Sequence, residues 1–161
     1  MKLKLTNLLS GLAERGAAQR QAAATVLFAD ICGSTRLFEQ YGDIRARQIE
    51  TRVLDVLTVQ TVVHDGQVIK TIGDEIMSRF ADAESAVHAA CAMHQALKDA
   101  PELMSLNIAV KIGLHHGPVL VENNDVFGDA VNIAARMVSL AKADQIITTR
   151  ETINQLPVDI E

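Results

Sequence analysis

The spacing of apolar residues changes several times along the chain, and each change marks a predicted element. Leu5, Leu8, Leu9 and Leu12 recur at i, i+3, i+4 and i+7, the stripe of an amphipathic helix that fades into Ala-, Arg- and Gln-rich sequence by residue 22. From Ala23 to Ala29 the apolar run is continuous, as in a buried strand, and it ends abruptly at Asp30. Gly33 then marks a turn, with Ser34 or Thr35 placed to cap a following helix. Ile49, Val53, Val56 and Leu57 give a long helix over 43–63, closed by the turn signal His64-Asp65-Gly66. Between Gln67 and Phe80 the period falls to two on either side of Gly73-Asp74. This predicts a hairpin whose two-residue loop needs positive φ at the glycine, with Val68, Lys70 and Ile72 on one face of its first strand.

The second half repeats the alternation of periods. Asp82 is placed to cap an Ala-rich helix over 83–97, and Pro101 interrupts the chain. Residues 106–121 alternate as a strand, Asn123-Asn124-Asp125 is a turn, and Gly128-Asp129 introduces a helix to Leu140. A last strand over 145–149 and a helical turn over 151–156 follow. The order β, long α, β-hairpin, α, β, β, α, β predicts an α/β (α+β) fold of ferredoxin-like βαββαβ type. Its antiparallel-rich sheet carries helices on one face, and the domain runs over 23–161 behind a lead-in over 1–22.

Composition narrows the picture. At 161 residues with 48% hydrophobic content and no Trp, the chain suits one domain with an aliphatic, Ala-rich core. A formal net charge of −5 excludes a nucleic-acid surface, because Lys and Arg are nowhere concentrated enough to replace phosphate counterions. Cys32 and Cys91 are too few for a disulfide framework and fit no zinc spacing, so both are expected as buried thiols in a reducing cytoplasm. No apolar run approaches the roughly 20 residues of a membrane span, and Asn7, Ser10 and Glu14 interrupt any signal-peptide core. A soluble domain is expected.

Some residues stand out chemically. Asp30 and Asp74 end strands that the βαββ order makes neighbours, where hard carboxylate oxygens suit Mg²⁺ and, through it, a nucleotide phosphate. Gly33 opens a helix N-terminus, a ready anion cradle. Lys70 emerges from an apolar row, either snorkelling to solvent or serving a site. Asn132 and Arg136 lie one helical turn apart, where an amide and a guanidinium converge on one polar ligand. His88 and His94 share no helix face, and His115 and His116 point to opposite sides of a strand, so no histidine metal site is expected.

Three motifs in order give a resemblance to the class III adenylyl/guanylyl (nucleotidyl) cyclase catalytic domains, compact-arm bacterial type, over about 23–156. Phe28-Ala-Asp30-Ile-Cys-Gly33-Ser-Thr35 resembles the first metal motif. Lys70-Thr-Ile-Gly-Asp74-Glu resembles the purine-lysine and second-metal motif, and Asp125-Val-Phe-Gly128-Asp-Ala-Val-Asn132-Ile-Ala-Ala-Arg136 resembles the third. The resemblance implies conversion of ATP to 3′,5′-cyclic AMP and pyrophosphate. Two Mg²⁺ or Mn²⁺ ions per site would be held by Asp30, Asp74 and the backbone at Ile31, with Ile31, Cys32, Gly33, Ser34 and Thr35 around the phosphates. It further implies that Lys70 and Asp125 read adenine, Asn132 positions the ribose, and Arg136 stabilises charge at the α-phosphate. The site would be shared across a head-to-tail homodimer, with regulatory domains outside the chain. The alternative within the same fold is a catalytically weak or silent nucleotide-binding regulatory module. Ser34 stands where many members have Phe, and the final β-hairpin common in the family finds no counterpart before Glu161.

Overall fold

The computed structural model describes residues 19–159, so residues 1–18 of the lead-in expected over 1–22 lie outside the described residues. The central strand β1 (Gln19–Ile31) begins four residues earlier than its apolar run suggests. Residues 19–22, expected in the lead-in, are therefore strand. β1 pairs antiparallel with β3 (Glu75–Phe80) on one side and with β4 (Val110–Glu122) on the other. The sheet order is completed by β2 (Gln67–Ile72) outside β3 and β5 (Asp125–Phe127) outside β4, with a short parallel β6 (Ile146–Ile147) also on β4. Among the described residues five helices accompany it: α1 (Ser34–Val63), α2 (Ala83–Asp99), the single turn α3 (Pro101–Met104), α4 (Asp129–Leu140) and α5 (Arg150–Ile153).

Strand alternation divides the core in two. Leu27, Ala29 and Ile31 of β1 join Ile112 and Leu114 of β4 under α1 and α2. Ala24, Val26 and Phe28 face the other way and join Met77, Val119 and Val126 under Ala130, Ala134 and Val138 of α4. The expectation of helices on one face is thus corrected. Each face of β1 is apolar, as the continuous run 23–29 requires, so each face must be covered.

Local chemistry explains the boundaries. α1 is kinked at Gly42 (φ 77°, ψ 167°), so the stretch begun at Ser34 and the long helix from Asp43 are two segments of one element. Asp65 takes the left-handed turn after α1 (φ 63°), whereas Gly66 is needed for space, because a Cβ there would stand 2.4 Å from the Phe80 ring. Asp82 accepts from Ser85 N at 2.8 Å as the cap of α2. The strand expected over 106–121 starts only at Val110, and the one expected over 145–149 shrinks to two residues. Cys91 is exposed and Cys32 half-buried, against the expectation that both are buried; both are free. Among the described residues no helix is long and apolar enough to cross a membrane.

Gly113 fixes the distance between the sheet and α4. A Cβ on it would lie 2.0 Å from the backbone nitrogen of Val138, so the helix rests directly on the strand. Backbone cannot yield as a flexible side chain would. Gly113→Ala is expected to destabilise the fold by about 3 kcal/mol, the upper end for overpacking, measured by urea unfolding; an unchanged midpoint would refute this packing.

Candidate functional site

The site is assembled by two tight hairpins and the loop after β1. At the β2–β3 loop Gly73 has φ 61° and Asp74 is not left-handed, the pattern of a II′ turn. The register then sets Asp30 opposite Glu75, with Asp74 one residue beyond at the tip. Ile31 N donates to the Asp74 carbonyl at 3.3 Å, which ties this tip to the end of β1. On the other side β4 sets Lys111 opposite Asp30, its Nζ 3.8 Å from Asp30 Oδ2.

The Asp30, Asp74 and Glu75 carboxylates therefore stand close together, with the Lys111 ammonium beside Asp30. Burial first, and then the Asp74 charge, raise the Asp30 pKa from 3.8 to about 6, with Lys111 pulling the other way. Burial and the Asp30 and Asp74 charges likewise push the Glu75 carboxyl up. Burial also raises the Cys32 thiol, although Lys111 opposes it. Such a concentration of negative charge in half-buried surroundings favours a cation. Among the described residues no three His, Cys, Asp or Glu side chains form a ready metal cage. A bound ion would complete its shell with backbone carbonyl, water and substrate oxygens, as Mg²⁺ characteristically does. Asp30 and Asp74 fit that role.

Beside them, Gly33 occupies the N-cap position of α1 in the left-handed region (φ 73°, ψ 30°), and no side chain caps the helix. This corrects the expected cap at Ser34 or Thr35. The Ser34 hydroxyl instead donates to Asp74 Oδ2. The first-turn amides of α1 are left for an anion, and Thr35 and the backbone of Cys32 lie along the same loop.

A second group forms where the β4–β5 hairpin curls over the α4 face. Asn123 and Asn124 both have positive φ (50° and 62°), giving a tight I′-like turn that starts β5 at Asp125. Val126 is buried with Met77 beneath it. β2 and β5 lie at opposite ends of the sheet order, yet Lys70 Nζ donates to Asp125 Oδ2 at 3.0 Å while Asp125 Oδ1 accepts from Val126 N at 2.8 Å. The Lys70 hydrogen bond holds the Asp125 carboxyl below its usual range. A bulge at Ile69 makes this contact possible. Val68 faces the α1 side while Lys70 sits opposite Met77 on the other, so the expectation that Val68 and Lys70 share a face is corrected. Asn132 and Arg136 stand exposed on α4, above the same side of the sheet.

Contacts thus join Asp30, Asp74, Ile31 and Ser34 in one group and Lys70 with Asp125 in another. Lys111 and Glu75 escaped the sequence patterns, since only the strand register shows that they flank Asp30. His115 Nδ1 meets Thr149 Oγ1 at 2.6 Å and His116 Nδ1 meets Thr25 Oγ1 at 2.8 Å, on separate partners. A surface hollow of about 650 Å³ along the outside of α1, lined by Asp43, Ile44, Arg47 and Asp55 among others, includes none of the candidates. It lacks their chemistry.

Known proteins share this fold and part of this sequence. The family profile described as the adenylate and guanylate cyclase catalytic domain matches residues 17–160. A Rhizobium meliloti (strain 1021) protein named provisionally as adenylate cyclase 3 is 36% identical over 126 residues, covering 76% of this chain and 21% of its own length. The adenylate cyclase of Streptomyces griseus is 32% identical over 127 residues, covering 76% of this chain and 30% of its own. This chain therefore spans about a fifth to a third of these relatives. Among solved structures, an adenylate/guanylate cyclase/hydrolase from Silicibacter pomeroyi superposes with TM-score 0.71 at 27% identity, covering 84% of this chain and 80% of that one. The adenylyl cyclase CyaB from P. aeruginosa superposes with TM-score 0.77 at 22% identity, covering 85% and 81%.

The raised Asp30 value has a measurable sign. The folded state holds this proton more tightly than the unfolded chain, so the associated stability is full below about pH 3.8 and is lost as pH rises through about 6. In EDTA, unfolding free energy is expected to fall across that window by on the order of 1–2 kcal/mol more for the wild type than for Asp30→Asn. Parallel pH profiles would show that the carboxylates do not confront each other.

Proposed function

The chain belongs to the adenylate and guanylate cyclase catalytic-domain family, and from that premise we propose that it is an adenylyl cyclase domain, a phosphorus–oxygen lyase that converts ATP to 3′,5′-cyclic AMP and pyrophosphate in the cytoplasm. The Lys70–Asp125 ion pair carries the choice of base. Adenine presents a ring acceptor at N1 beside an amino donor, which an ammonium and a carboxylate complement; guanine reverses both roles.

Each remaining group has a task in that reaction. Asp30 and Asp74, with the Ile31 carbonyl, would hold two divalent ions, Mg²⁺ or Mn²⁺. Such ions, when bound, activate the ribose 3′-hydroxyl and neutralise the triphosphate. The amides of Gly33 to Thr35, at the uncapped start of α1, would hold phosphate oxygens, since those of Ile31 and Cys32 already donate to the Asp74 and Ala109 carbonyls. Lys111, beside Asp30, places a positive charge next to the same phosphates. Asn132 orients the ribose, and Arg136 stabilises the charge that grows at the α-phosphate. Loss of a donor of that kind costs on the order of a hundredfold to a thousandfold in rate.

The two contact groups also bear on assembly. Lys70 sits opposite Met77 and Asp30 opposite Glu75, so one ribbon sends its lysine and its tip carboxylate to different groups. A head-to-tail homodimer would unite the carboxylates of one protomer with Lys70, Asp125, Asn132 and Arg136 of the other, giving two shared sites. Purified protein incubated with ATP and Mn²⁺ should form cyclic AMP with specific activity that rises with protein concentration. No product at concentrations where the protein is dimeric would leave a nucleotide-binding regulatory module as the reading. Mixing equal amounts of inactive Asp74→Ala and Lys70→Ala chains should restore about half of one working site per dimer on average, about a quarter of wild-type activity, because random pairing makes about half of the dimers mixed. Heterodimers that remain inactive would overturn the shared site.

Base choice is tested separately. Lys70→Glu with Asp125→Cys should shift relative kcat/KM from ATP toward GTP by at least about tenfold, since unpaired polar groups penalise the wrong base. Unchanged preference would refute the assignment.

A further inference from the structure

A serine at the start of a helix usually turns its hydroxyl onto a backbone amide in the first turn. Ser34 does not. Gly33 takes the N-cap position, no side chain caps α1, and the Ser34 hydroxyl donates across forty residues of sequence to Oδ2 of Asp74. The same aspartate accepts from Ile31 N through its carbonyl. Residues three apart in the β1–α1 loop thus hold the hairpin tip by its backbone and by its side chain.

The consequence is geometric. Asp74 sits at the end of a two-residue turn, where an unrestrained carboxylate would sample several rotamers. A donor on Oδ2 selects one of them. It is the rotamer held at the end of β1, where the ladder sets Asp30 opposite Glu75 and the Asp74 carbonyl accepts from Ile31 N. Resting on the cyclase reading of these two carboxylates, we infer that Ser34 is a positioning residue whose hydroxyl aligns Asp74 with Asp30 toward one shared divalent cation. By serving Asp74 rather than its own helix, Ser34 also leaves the first-turn amides of α1 free for the phosphates that accompany the cation. A hydrogen bond to a ligating carboxylate typically changes metal affinity by about 10–100-fold.

The test compares side chains of one shape. Ser34→Thr keeps the hydroxyl and Ser34→Val replaces it with a methyl group, while Ser34→Ala removes it with the least added bulk. Direct Mn²⁺ titration without nucleotide, followed by the electron paramagnetic resonance signal of free Mn²⁺, reads affinity independently of turnover. Unfolding midpoints in EDTA report stability alongside. Ser34→Ala and Ser34→Val should bind Mn²⁺ about 10–100-fold more weakly than wild type, and Ser34→Thr should restore binding. A purely structural serine would shift the EDTA midpoints and leave Mn²⁺ affinity unchanged, and wild-type affinity in Ser34→Ala or Ser34→Val overturns the inference. Wild-type protein that binds no Mn²⁺ overturns the metal role of Asp30 and Asp74, and the inference falls with it.

Discussion

The confrontation of Asp30 with Asp74 and Glu75 is the constraint on which the functional end of the structure depends. Like charges gathered in half-buried surroundings oppose folding, and the neighbouring geometry is arranged to contain that cost. Lys111 stands across the β1–β4 ladder from Asp30. The Ser34 hydroxyl and the Ile31 amide anchor Asp74. Such an arrangement is poorly stabilised on its own, and in the proposed reading a bound cation would relieve it.

The other end of the site depends on close backbone approach rather than on charge. α4 lies directly on Gly113, and this height sets where Asn132 and Arg136 emerge. The β4–β5 hairpin curls over the same face because Val126 has a buried place beside Met77. That curl carries Asp125 to Lys70 although their strands lie at opposite ends of the sheet. Hydrophobic packing thereby positions a polar pair. A rigid apolar base also explains how the exposed Lys70 and the half-buried Asp125 keep a defined relation to each other.

Much of this was legible along the chain, because several signals are local. Gly73 specifies its turn, Asp82 caps its helix, and the apolar run before Asp30 predicts a buried strand. Where signals were weaker, the boundaries moved. The strand expected from residue 106 begins at Val110, after the α3 turn and the left-handed Asn107 (φ 53°). The placement of all helices on one face failed because helical periodicity identifies a buried stripe without saying which side of the sheet will receive it.

The sequence by itself determined the order of elements, the chemical identities of the candidate residues and their three-motif spacing, since these depend on turn chemistry and periodicity within a few residues. Tertiary structure alone decided who faces whom. The β1–β4 register brought Lys111 to Asp30, and the bulge at Ile69 turned Lys70 away from the side of Val68 and toward Asp125. Ser34 could cap its helix or reach the hairpin, and only the position of Asp74 in space selected the second. A side chain's partner across forty or more residues depends on register and packing, to which local sequence is blind because a shift of one residue reverses every face of a strand.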